Sequence, residues 1–160
     1  MTDHNPHPGV AAATRHAEYV ALRTKAQGLK IRAASLRREA KAAALTVDAH
    51  KLRLDAKAAS NEARELLTLA KAVKADVESS IQAAAQLLTS RMPPDYSHWG
   101  VVKTRAYVKV LGVVSAQSKR SSPNLALATH GIGLLLSHTT WSESVLSQLA
   151  AITTMPKALP

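Results

Sequence analysis

The chain has 160 residues, with 21 Lys and Arg against 11 Asp and Glu, a formal net charge of +10 and a pI near 10.2. It has no cysteine, which excludes disulfides, thiolate metal sites and cysteine nucleophiles. The cationic excess points to an anionic partner: nucleic acid, an acidic protein or an anionic membrane surface.

Hydrophobicity is carried largely by alanine, and the aromatics are two Trp and three Tyr with no Phe. The expected core is therefore a thin interhelical seam rather than a thick interior. No run approaches the ~20 apolar residues of a membrane span, and the polar start of the chain lacks a signal-peptide core. A cytoplasmic or nuclear, non-secreted location is expected.

Residues 1–10 read as a disordered polar tail. Thr2-Asp3-His4 could present a square-planar Cu(II) or Ni(II) site once Met1 is removed. Any exposed tail with this His placement does so, and the segment is read as an ordinary tail. No metal or cofactor is assigned.

Residues 11–91 contain no proline and one glycine, Gly28, and are rich in good helix formers. A heptad places Tyr19, Ala26, Ala33, Ala40 and Val47 at a, and Leu22, Leu29, Leu36 and Ala43 at d. A second heptad places Ala49, Ala56, Ala63, Ala70, Val77 and Ala84 at a. Its d positions hold Leu45, Leu52, Ala59, Leu66, Val73, Ser80 and Leu87. Leu22, Leu29, Leu36, Leu45, Leu52, Leu66, Val73 and Leu87 are the candidate self-association residues of a homo-oligomer.

The step from Leu36 to Leu45 turns the apolar stripe by about half a turn, at 100° per residue. One continuous helix, with a seam on each side, accounts for this slip. So does an antiparallel hairpin that folds near 44–48 and faces the seams together. Pairing positions whose numbers sum to 92 sets Leu36 on Ala56, Leu29 on Ala63 and Ala26 on Leu66, large against small. Only Ala33 and Ala59 form a layer without a large residue. The segment holds no Gly, Pro or Asn to mark a turn, which favours the continuous helix.

Pro93 and Pro94 end this stretch, and 92–100 reads as a linker. Residues 101–111 alternate, with Lys103, Arg105, Tyr107 and Lys109 on one side and Val102, Val108 and Val110 on the other. That pattern fits a single strand, although no second strand is evident to pair with it and a helix remains open. Ser122-Pro123 reads as a helix start leading through 125–136. Thr140 to Glu143 matches a capping box before Val145, Leu146, Leu149 and Ile152. The fold expected is mainly all-α: a long alanine-rich helix or helical hairpin over 11–91, then a small helix-rich module over 101–155 and a tail from 156.

The charge is uneven. Residues 15–41 carry eight cations against two carboxylates, while 42–90 carry six of each. Arg23, Lys30 and Arg37 fall at e, and Lys25 and Arg32 at g. The acidic neighbour that such flanks need is supplied in part by Asp48, Asp55, Glu62 and Asp76, all at g. The candidate phosphate-contacting residues are Arg23, Lys25, Lys30, Arg32, Arg37, Arg38 and Lys41, extended by Lys103, Arg105 and Lys109.

No phosphate loop, HExxH pattern or clustered carboxylates occur. The sequence thus reads as non-enzymatic and without a small-molecule substrate. It would bind RNA or DNA without sequence preference, or dock an acidic helical protein. A membrane surface fits less well, because the basic helix lacks interfacial Trp or Phe.

Overall fold

The computed structural model describes residues 7–43 and 47–152. The Thr2-Asp3-His4 motif and Leu45 lie outside them. The described residues hold five helices and no strand: α1 (Pro8–Ala42), α2 (Val47–Ser90), α3 (Val101–Ser118), α4 (Leu125–Leu136) and α5 (Glu143–Ile152). Short 3-10 turns occupy Tyr96–His98 and His138–Thr140. Among the described residues, no helix is long and apolar enough to cross a membrane.

The first helix begins at Pro8, three residues before the proline-free stretch that starts at Ala11. His7 caps it: the Gly9 N–H donates to His7 Nδ1 at 3.0 Å. Proline at the first helical position sacrifices no bond, because that N–H has no intrahelical acceptor. The long stretch is broken between Ala42 and Val47, so it is a hairpin and not one continuous helix. A continuous helix would leave an apolar seam on each side in water, whereas reversal buries one seam on the other. That gain outweighs the missing turn signal, since closing a short loop costs little extra entropy.

The chain forms two compact units, Arg15–Ala75 and Met1–Thr14 with Asp76–Pro160. In the first, Ala26, Ala33, Ala40, Ala49, Ala56, Ala63 and Ala70 are all 2% exposed or less. These are the a positions of both helices. Leu22, Leu29, Leu36, Leu52, Leu66 and Val73 flank them, half-buried. Two side-chain contacts fix direction and register: Arg37 Nη2 donates to Ser60 Oγ at 2.7 Å, and Lys25 Nζ lies 3.4 Å from Glu62 Oε1. The first joins e to e and the second g to g, the pairing of an antiparallel hairpin. Both agree with the register in which Leu36 meets Ala56.

The second unit has a core of large side chains. Tyr107, Ile81, Ile132, Leu135, Val77 and Val114 are its biggest fully buried residues. Close packing here depends on two glycines. A Cβ at Gly131 would lie 2.7 Å from Val114 Cγ2, and one at Gly9 would collide with Ile132 Cγ2. Glycine thus lets α3 approach α4, and the start of α1 approach α4.

Residues 101–111 are helical, which corrects the strand reading. Ala106, Tyr107, Val110, Val114 and Gln117 form one buried helical stripe. With no strand to complete a ladder, the backbone bonds internally and packing overrides valine's β preference. The caps also sit slightly later than expected. Asn124, not Ser122, caps α4, its side chain accepting from Leu127 N at 3.0 Å. Ser142, not Thr140, stands before α5, accepting weakly from Val145 N at 3.4 Å.

Candidate functional site

The hairpin sorts charge in a way the two helices do not show separately. In an antiparallel pair the e and b rows of both helices share one side. On α1 those rows hold Arg23, Lys30, Arg37 and Lys41; on α2 they hold Arg53, Lys57, Arg64, Lys71 and Lys74. All are exposed except Lys74, which is half-buried. The six carboxylates of Arg15–Ala75 lie elsewhere: Glu18, Glu39, Asp48, Asp55 and Glu62 at g, and Glu65 at c. Among the described residues of Arg15–Ala75 these two rows contain no carboxylate, and the next b position of α2 holds Glu78.

The opposite edge is mixed. Lys25 pairs with Glu62, and Arg32 takes the register position facing Asp55. Lys25 and Arg32, both sequence candidates, therefore sit on the compensated side, away from Arg23, Lys30, Arg37 and Lys41. Arg38 is exposed on the outer side of α1.

Arg53, Lys57, Arg64 and Lys71 were not singled out from sequence, because residues 42–90 are neutral in sum. Their signal was positional: Lys57, Arg64 and Lys71 recur every seventh residue, about 140° around the helix from the acidic g row.

The basic face has texture as well as charge. A groove of about 530 Å³ runs between Arg23 and Lys30, with Gly28, Ile31 and Leu67 among its walls. Nothing lies within 4 Å of where a Gly28 Cβ would be, so the notch is open. Arg23 spans one end: its guanidinium lies 5.8 Å from the centre of the Tyr19 ring and donates to the Tyr19 hydroxyl at 3.2 Å.

In the second unit the three basic candidates separate. Lys103 turns onto the Trp99 ring, 4.7 Å from its centroid. Arg105 and Lys109 face outward among exposed Val101, Val102 and Val108. Tyr107, read as lying among these cations, is instead 1% exposed and part of the core. Leu87 is exposed.

A polar and aromatic cluster in this unit carried no sequence signal. Trp99 Nε1 donates to Asp95 Oδ2 at 2.9 Å, and His138 Nε2 lies 3.3 Å from Asp95 Oδ1. His138 Nδ1 lies 3.0 Å from the Leu135 carbonyl oxygen, so an acceptor faces each ring nitrogen. Trp99, Tyr107 and His138 pack ring on ring at 5.1 to 5.9 Å. The Trp99 hydrogen bond, aided by His138 and partly opposed by desolvation, holds the Asp95 carboxyl below its ordinary value near 3.8. Burial pushes the Tyr107 phenol above its ordinary 10.0, with the Asp95 charge adding to it.

Both His138 nitrogens are engaged, so the ring has no free position for general-base work. The cluster is a clasp that ties residues 95–99 to α3 and the end of α4. An open groove of about 620 Å³ between the end of α2 and the end of α3 is lined by neutral Gln, Thr and Ser side chains and Lys119. It brings together no acid–base pair. Among the described residues, no three His, Cys, Asp or Glu converge to hold a metal ion. Comparison with family models, with curated proteins and with solved structures gives no match.

Proposed function

We propose that this protein is a non-enzymatic nucleic-acid-binding protein that contacts backbone phosphates through the basic face of its hairpin. The observation that carries the reading is the segregation itself. Nine cations occupy the e and b rows and every carboxylate of that unit lies on other rows. Charged side chains kept only for solubility would mix signs on each face, as the g edge does. A face of one sign invites a polyanion, and each cation–phosphate contact releases counterions. Binding is thus strongly salt-dependent and independent of sequence, since long flexible cations reach phosphates without reading base edges.

The alanine seam works as an intramolecular antiparallel coiled coil in this reading. Exposed Ile31, Leu54 and Leu69 give a second copy apolar surface for self-association. The setting would be cytoplasmic or nuclear.

The test is titration of labelled nucleic acid with wild type and with a variant carrying Arg23→Gln, Lys30→Gln, Arg37→Gln and Arg53→Gln. Removing four contacts is expected to lower the log–log salt slope by up to about 3.6. Unchanged binding, or none even at low salt, would overturn the reading.

A second reading rests on α3. Val101, Val102, Val108 and Val113 are exposed around Arg105 and Lys109 on its outer side. A helix apolar on both faces suits a protein partner, and the two cations call for an acidic helical one. An adaptor of this kind would hold a complex resistant to nuclease and sensitive to charge reversal at Arg105 and Lys109.

A further inference from the structure

We infer that the basic face of the hairpin takes double-stranded rather than single-stranded nucleic acid. This rests on the nucleic-acid reading above and specifies its ligand.

The first observation is dimension. From Arg23 to Lys41 on α1, and from Arg53 to Lys71 on α2, each row covers about 27 Å at 1.5 Å per residue. That is most of one duplex turn of ~34 Å. The rows lie on two packed helices whose axes are separated by roughly 8–10 Å. The face therefore offers two parallel lines of charge on a stiff support. A duplex presents two phosphate strands flanking a groove and carries one charge per ~1.7 Å of axis. A single strand presents one line and must be straightened to follow a rigid row, which costs it conformational freedom.

The second observation is what the face lacks. Proteins that hold single strands offset that ordering by stacking bases on aromatic side chains. Among the described residues, the e and b rows of Arg15–Ala75 contain no Trp, Tyr or Phe. Tyr19 is the one aromatic residue of Trp, Tyr or Phe type in that unit. It is a half-buried a-position residue, and Arg23 already covers its ring and binds its hydroxyl. Trp99 and Tyr107 belong to the clasp of the other unit, where they pack on each other and on His138. The face holds phosphates but offers bases only the two small rings of His16 and His50, one near each end of its helix, and this favours a ligand whose bases are already stacked.

DNA and RNA duplexes share this chemistry, and the experiment separates them. Full-length protein is titrated by fluorescence anisotropy with a DNA duplex, an RNA duplex and a DNA single strand of matched sequence, each of about 20 nucleotides per strand, at several salt concentrations. At least one duplex is expected to bind at least about tenfold tighter than the single strand. A variant carrying Lys57→Gln, Arg64→Gln and Lys71→Gln removes three exposed b-row cations, and its helicity is checked by circular dichroism. Its duplex salt slope should fall by about 2.7, or ~0.9 for each contact. Lys25→Gln with Arg32→Gln, on the mixed edge, should leave the slope near wild type.

Single-strand binding equal to or tighter than both duplexes overturns the inference and leaves the nucleic-acid reading standing. A wild-type slope in the triple variant overturns the assignment to this face. Failure of every probe to bind at low salt overturns the nucleic-acid reading itself.

Discussion

In Arg15–Ala75 the fully buried side chains are alanines, whereas the other unit buries Tyr107, Ile81, Ile132, Leu135, Val77 and Val114. The contrast has consequences for the surface. An alanine seam draws two helices close and uses little more than one helical stripe of each, leaving whole rows free to carry charge of one sign. The second unit surrounds a thicker core with shorter helices and ties it with side-chain bonds between residues far apart in sequence, such as Asp95 and His138. Its stability sits in a few large residues, while that of the hairpin is spread over many small ones.

The contrast can be broken most severely at Ile132. It is 0% exposed, and Ile132→Ala is expected to cost about 2–5 kcal/mol by urea denaturation, from lost burial plus the cavity left behind. A cost below that of an exposed site would mean that the second unit does not rely on its large residues.

A pair of glycines in α4 gives the next effect. Gly131→Ala forces a methyl against Val114, a stiff β-branched side chain, and should destabilise by about 1–3 kcal/mol. Gly133→Ala meets nothing within 4 Å and should stabilise by up to about 1 kcal/mol, because alanine is the better helix former. Equal shifts in melting temperature would refute the close α3–α4 approach.

The Asp95 clasp predicts a pH effect. Its folded pKa is depressed, so its contribution is present above the ordinary value near 3.8 and is lost as pH falls through the lower folded value. Wild type and Asp95→Asn should differ in stability near neutrality and converge in acid. Parallel curves throughout would show that the ionised carboxylate adds nothing.

The smallest effect is expected at Lys25. Its pair with Glu62 is exposed on both sides, at 63% and 50%, and Lys25→Ala should change stability by no more than about 1 kcal/mol.

The seams of the hairpin were legible in advance, but its reversal was not, because 44–48 carries no Gly, Pro or Asn and so favoured a continuous helix. The seven-residue recurrence of alanine and leucine gives the seams, and the half-turn slip between Leu36 and Leu45 fits either a reversal or a continuous helix. The large-to-small match of Leu36 with Ala56 anticipates the register that the Arg37–Ser60 and Lys25–Glu62 contacts report. The α3 strand reading failed because alternation over 101–111 is fortuitous. Lys103 and Tyr107, four residues apart, face inward toward Trp99, while Arg105 and Lys109, also four apart, face out. Neither Asp95 nor His138 stood out, because their meaning depends on a contact across 43 residues.

The sequence by itself determined the helical character of 11–91, the alanine seam and the cationic excess, since propensity, heptad period and charge are properties of neighbours along the chain. The tertiary structure decided which cations stand together. Arg23, Lys30 and Arg37 join Arg53, Lys57, Arg64 and Lys71 because the chain reverses, and reversal sets e beside e and g beside g. A neutral total over 42–90 concealed two opposite rows, and packing against α1 separated them into a basic face and a compensated edge.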